Sequence, residues 1–119
     1  MSKLLYAQTH EWVKLDGNTA TIGLSDHAQH ELGDLVFINL PAEGDEVKAG
    51  VAFCDVESVK AVSDVMSPVS GKIIEVNEEL ESAPDSINND PMGAWICKVE
   101  ITSVPDDLMD EAKYAEFIK

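Results

Sequence analysis

Turn-forming residues recur along this chain at short intervals and leave room only for short elements between them. Asp16-Gly17-Asn18, Glu43-Gly44-Asp45 and Ser70-Gly71 combine Gly, Asn, Asp and Ser, residues that accept the backbone geometry of tight turns. The segments between them are β-branched, aromatic or alternating in polarity, as half-buried strands are. Trp12 to Leu15 and Thr19 to Leu24 read as a hairpin across Gly17. Val36 to Leu40 reads as a buried strand ended by Pro41. Ala52, Cys54 and Val56 alternate with Phe53, Asp55 and Glu57, and Val62, Asp64 and Met66 alternate with Ser63, Val65 and Ser67. Lys72 to Val76 resumes a strand after the predicted Ser70-Gly71 turn, and Ala94 to Thr102 makes the last one.

Helices have less room. Ser25 as N-cap and Gly33 as stop bracket a short helix over 25–32. Residues 77–94 carry Pro84, Asn88, Asn89, Pro91 and Gly93 and read mainly as loop, with one helical turn at most. Ser103-Val104-Pro105-Asp106 has the form of a capping box, predicting a C-terminal helix over about 104–118. Leu108, Met109, Ala112, Ala115 and Phe117 or Ile118 are available for its buried side. Many short strands with turns between them indicate a mainly β fold, a small sandwich or flattened barrel. With 119 residues and no linker or repeat, one domain over 1–119 is expected.

Composition then narrows function. Eight Lys or Arg against 23 Asp or Glu leave a net charge of −15, which argues against nucleic acid and anionic membranes as partners. No run of 18 or more apolar residues offers a membrane span. The opening residues Met1 to Gln8 have neither the apolar core of a secretory signal nor the Arg-rich character of a transit peptide. A cytoplasmic protein is expected, or a mitochondrial matrix one if the chain is a mature eukaryotic form. Cys54 and Cys97 form no metal-type spacing and read as two buried, reduced thiols.

Three groups of residues could carry chemistry. His27, His30 and Glu31 stand at helical spacing, where two imidazoles and a carboxylate suit zinc, but no partners orient them and a solvated helix face is expected instead, with no metal. A hydrolase built on Cys54 or a serine lacks any nucleophile signature, and no glycine-rich phosphate cradle exists. The third is Glu57-Ser58-Val59-Lys60-Ala61, which puts a scarce lysine midway between two matched β runs. At a hairpin tip Lys60 would project its ε-amine into solvent with Glu57 and Asp64 beside it. On spacing alone an ordinary surface lysine is the favoured reading.

Motifs along the chain resemble those of a known family. Gly44-Asp45-Glu46-Val47-Lys48-Ala49-Gly50, the Glu57-to-Ala61 segment and Ser67-Pro68-Val69-Ser70-Gly71-Lys72 are similar to the swinging-arm superfamily of biotinyl and lipoyl domains. Thr9-His10-Glu11-Trp12-Val13, Ser25-Asp26-His27-Ala28-Gln29, Leu32-Gly33-Asp34 and Ile87-Asn88-Asn89-Asp90-Pro91 narrow the resemblance to the glycine cleavage system H-protein family. The resemblance implies a flattened β-barrel/sandwich hybrid of the biotinyl/lipoyl type, with the lipoyl-binding core at about 19–101 and a helix at about 104–118. It implies lipoate in amide linkage to Lys60, and Glu11 and Asp64 beside the cleft that receives the loaded arm. Met66, Cys54 and a short Met92-to-Trp95 stretch depart from the family pattern.

The same resemblance implies a carrier that catalyses no step itself. A pyridoxal-phosphate glycine decarboxylase would load an aminomethyl group on the lipoyl arm. A tetrahydrofolate-dependent aminomethyltransferase would unload it, and a dihydrolipoyl dehydrogenase would reoxidise the dithiol. A lipoate ligase or an octanoyl/lipoyl transferase would attach the cofactor. Three alternatives stay open on sequence: an H-like relay donating lipoate to other carriers, a biotinyl carrier, and an unmodified acidic interaction domain. Biotin attachment usually uses Met-Lys-Met, whereas Lys60 lies between Val59 and Ala61.

Overall fold

The computed structural model describes residues 2–119. The chain opens with β1 (Ser2–Tyr6), β2 (Glu11–Asp16) and β3 (Thr19–Leu24), followed by α1 (Asp26–Leu32) and β4 (Leu35–Asn39). Next come β5 (Glu46–Val47), β6 (Ala52–Ser58), β7 (Val62–Met66) and β8 (Ser70–Val76). Two helical turns, α2 (Glu79–Ser82) and α3 (Ser86–Asn89), lead to β9 (Cys97–Ser103) and α4 (Glu111–Phe117). Six strands form one antiparallel sheet in the order β1-β2-β3-β9-β8-β5, and three form a second in the order β4-β6-β7. The mainly β sandwich is as expected, and its two sheets do not close into a barrel.

Each sheet turns one face inward. Val13, Ile22, Ile73 and Val99 from the large sheet join Ile38, Val56 and Val65 from the small one in a single buried cluster. Period-2 alternation explains it: Ile73 is buried while its neighbours Lys72 and Ile74 face solvent. A second cluster on the outer face of β1 and β2 joins Tyr6, Trp12, Met109 and Tyr114, and this seats α4. Among the described residues no helix is long and apolar enough to cross a membrane.

The β2–β3 hairpin and α1 fall where the sequence puts them. Ser25 Oγ accepts the Ala28 N–H at 3.2 Å as N-cap, and Gly33, with φ 82°, ends the helix. Elsewhere the structure departs from the expectation. The strand over 36–40 is only partly buried: Leu35 and Ile38 face the core, but Val36 and Phe37 both face out. A bulge between Leu35 and Phe37 inserts an extra residue against β6 and breaks the alternation. Ser70-Gly71 is no turn but the start of β8, and the bend comes earlier, at Pro68 and Val69. A Cβ at Gly71 would collide with the Glu100 carbonyl oxygen, so close strand packing explains that glycine.

Residues 77–94 hold two helical turns rather than one, and the last strand begins at Cys97 instead of Ala94. The C-terminal helix starts at Glu111, not near 104. Met109 is held extended by two backbone hydrogen bonds with Tyr6, at 2.7 and 2.8 Å, and Asp110 caps the helix by accepting from Lys113 N–H at 2.8 Å. Tyr114 is its buried side chain, whereas Ala112, Ala115 and Phe117 are exposed. Cys97 is buried and Cys54 half-buried, both free; burial pushes the Cys97 thiol up to about 12 and raises that of Cys54 as well.

Candidate functional site

The segment from Ser58 to Ala61 links β6 to β7 in a tight turn with Lys60 near its tip. Ser58 N–H donates to the Ala61 carbonyl at 2.8 Å, closing the loop. The Ser58 hydroxyl then accepts the N–H groups of Lys60 and Ala61, each at 3.1 Å. This hydroxyl supplies the local bonds that a turn without Gly or Asn needs. The tip is tied sideways too: Val59 N–H donates to the Asp34 carbonyl at 3.0 Å. Lys60 is therefore an exposed side chain on a backbone held from two directions.

Its stem runs across the C-terminal end of α1. A Cβ at Gly33 would stand 3.1 Å from Lys60 Cε and 3.9 Å from Nζ. That end of a helix carries negative partial charge, which suits an ammonium. Neither Glu57 nor Asp64 forms an ion pair with Lys60 Nζ among the described residues. Glu57 pairs across the small sheet with Phe37 and Val62, and Asp64 pairs with Asp55 farther down the hairpin.

Beside this lysine-bearing end lies a small cleft of about 130 Å³. Thr9, His10 and Glu11 form one wall, Ala28, Glu31 and Leu32 of α1 another, and Val56 with Ser63, Asp64 and Val65 the third. Leu32 lines the cleft and the next residue, Gly33, lies under the Lys60 stem, so one helix end serves both. Glu11 and Asp64 are brought together here, but in different states. Asp64 is exposed, whereas Glu11 is 2% exposed.

Burial explains the Glu11 electrostatics. Removing a carboxylate from water disfavours its charged form, and this raises the Glu11 pKa from 4.5 to about 7. Thr9 Oγ1 donates to Glu11 Oε1, and Met66 N–H donates to Oε2 at 3.2 Å, which partly offsets the burial. Both contacts were missed from sequence. Thr9 stands two residues from Glu11, a recognisable local pair, but only the fold brings Met66 there.

His10 shapes the wall through its backbone, with φ 78°, the one described non-glycine residue with positive φ. Its Nδ1 meets the Tyr114 hydroxyl at 2.8 Å, and that hydroxyl also bonds Ser25 Oγ at 2.9 Å. The C-terminal helix thereby braces both the cleft wall and the N-cap of α1. Burial and the His27 ring, 4.6 Å away, lower the His10 pKa, against Glu31, which raises it. His27 and His30 face separate carboxylates, Glu31 and Asp26, each at 3.5 Å. No group of three metal-ligating side chains occurs among the described residues.

Comparison with known proteins agrees with this geometry. Residues 4–119 match the family model described as "Glycine cleavage H-protein". The chain is 55% identical over 116 residues to the glycine cleavage system H protein of Alkaliphilus oremlandii, covering 96% of this chain and 91% of that protein. It is 52% identical to glycine cleavage system H protein 2, mitochondrial, of Arabidopsis thaliana, covering 98% of this chain and 77% of that one. The crystal structure of a glycine cleavage system H protein from Mycobacterium marinum superposes with a TM-score of 0.89 at 38% identity, covering 96% and 94% of the two chains.

Proposed function

The chain belongs to the glycine cleavage H-protein family, and on that premise we propose that Lys60 is the residue to which lipoate is attached. Proteins of this family are lipoyl carriers within a multienzyme system and are not catalysts themselves. The observation that carries the assignment is an exposed lysine on a braced hairpin tip, with its stem beside the helix end that also walls the Glu11 cleft. When bound, lipoate supplies a cyclic disulfide that accepts an aminomethyl group together with two electrons.

The rest of the work belongs to the chain's own residues. The Ser58-centred turn restricts the root of the arm, so a tethered cargo stays at high effective concentration near a docked partner. Glu11 is buried in the wall of the cleft, where it waits partly protonated at neutral pH. An arriving ammonium favours the ionised form of Glu11, which then accepts a charge-assisted hydrogen bond from it. Asp64 at the rim adds a second carboxylate for the same cation.

The partners in this reading are a pyridoxal-phosphate glycine decarboxylase, a tetrahydrofolate-dependent aminomethyltransferase, a dihydrolipoyl dehydrogenase and a lipoyl-attaching enzyme. The setting is the cytoplasm, and the whole chain acts as one carrier domain. Protein made with a lipoylating enzyme is expected to gain one lipoyl amide by intact mass, and Lys60→Arg to gain none. An unmodified wild type would overturn the assignment. Glu11→Ala and Asp64→Asn should each speed hydrolysis of the aminomethyl-loaded form, and unchanged rates in both would remove the cleft from the mechanism.

A further inference from the structure

Nine large apolar side chains are exposed among the described residues, and four of them gather around the lysine hairpin. Val36 is 56% exposed, Phe37 45%, Val59 68% and Val62 65%. Phe37 lies opposite Glu57, and Glu57 opposite Val62, so the three side chains form one row on the outer face of the small sheet. The bulge between Leu35 and Phe37 turns Val36 out beside them. Val59 stands next to Lys60, anchored through its N–H to Asp34. The following row across the sheet is Asn39, Asp55 and Asp64. The surface thus has an apolar centre with carboxylates of Asp34, Asp55, Glu57 and Asp64 in and around it. Among the described residues these side chains stay largely open to solvent, and concentrated apolar exposure of this kind marks an interaction site.

We propose that Val36, Phe37, Val59 and Val62 form the surface gripped by the enzyme that makes the amide bond on Lys60. The proposal rests on Lys60 being the attachment lysine. Partners acting on the dithiolane work at the far end of the acyl chain and need not touch the hairpin. The attaching enzyme must bring an acyl carbon to Nζ itself, so its surface contacts whatever adjoins Lys60. Its complementary face is an apolar patch rimmed by Lys or Arg, matching the carboxylates here. The chemistry is an acyl transfer from an acyl adenylate. The Nζ ammonium releases one proton to water or a base, and the resulting amine forms a C–N bond to the acyl carbon and gives up a second proton in the same way as the amide forms. The C–O bond to the adenylate phosphate breaks and AMP leaves with the electron pair, with no change of oxidation state.

Chain prepared without lipoate, given lipoate, ATP and a purified lipoate ligase, tests this through initial rates read by intact mass. The double variant Phe37→Ser/Val62→Thr should lose roughly tenfold or more in kcat/KM, mainly through a higher KM, while reaching the same final mass. Its Tm should hold, because neither side chain is buried. Ile74→Thr, exposed on the other sheet, should react at the wild-type rate. A double variant lipoylated as fast as wild type overturns the proposal. So does one lipoylated at full rate but slowed with glycine decarboxylase, since the surface then serves that enzyme. A wild type that accepts no lipoyl group overturns the attachment reading beneath it, a failure distinct from equal, finite rates.

Discussion

Glu11 is the residue whose chemistry the fold changes most. A carboxyl with pKa 4.5 when unfolded and about 7 when folded stays protonated more readily in the native state. The stability linked to that proton is fully present below about pH 4.5 and is lost as pH rises through 7. The shift corresponds to a cost of about 3 kcal/mol at alkaline pH, an upper figure for one buried carboxyl. Glu11→Gln removes the charge and keeps the local bonds, since its amide can donate to Thr9 Oγ1 and accept from Met66 N–H. Urea unfolding should find the variant more stable than wild type at pH 8 and equal to it near pH 4. The loaded form should show the opposite preference. Protection of the aminomethyl group, expressed as the hydrolysis rate of Glu11→Gln over that of wild type, should rise from pH 6 to pH 8 as Glu11 ionises. A flat ratio would mean that Glu11 does not meet the cargo.

Between residues and fold stand two elements, α1 and the β6–β7 hairpin, which meet at Gly33. With φ 82° and ψ −162°, Gly33 occupies a region that other residues enter only under strain. Gly33→Ala should cost about 1–3 kcal/mol by backbone strain alone. Its new Cβ would also press on Lys60 Cε, at 3.1 Å, and push the lysine stem aside. Thermal unfolding checks the first effect, and slower lipoylation in the still-folded variant checks the second. The hairpin was partly legible in sequence: the two runs flanking Lys60 were clear, but no Gly or Asn marked the turn. Ser58 was the available signal, because a hydroxyl that bonds backbone N–H groups two and three residues on makes a turn without positive φ. Strand β4 was read only in half. Its apolar run predicts burial, but the bulge that turns Val36 and Phe37 out depends on pairing with β6, which no local pattern reveals.

Over the whole molecule, Cα extents of 36 × 35 × 23 Å describe a flattened body, two sheets thick in its short dimension. Spread over it, a net charge of −15 sets a field that steers encounters with basic surfaces. The apparent KM of glycine decarboxylase for this carrier should rise as salt goes from about 0.01 M to about 1 M, where the Debye length shrinks from about 30 to about 3 Å. A salt-independent KM would leave the charge with solubility alone. The sequence by itself determined the mainly β character, the β2–β3 hairpin, α1 with its Ser25 cap, and the scarce lysine between matched runs. Those features rest on contacts a few residues apart, whose side-chain types and spacing are visible in the chain. The bulge at Val36, the late start of α4 and the neutralising burial of Glu11 depend on partners far along the chain. Phe37 meets Glu57, Met109 meets Tyr6, and Met66 meets Glu11 only once both sheets have packed. The tertiary structure decided these because burial and long-range pairing follow from which faces meet, and a local pattern does not contain that information.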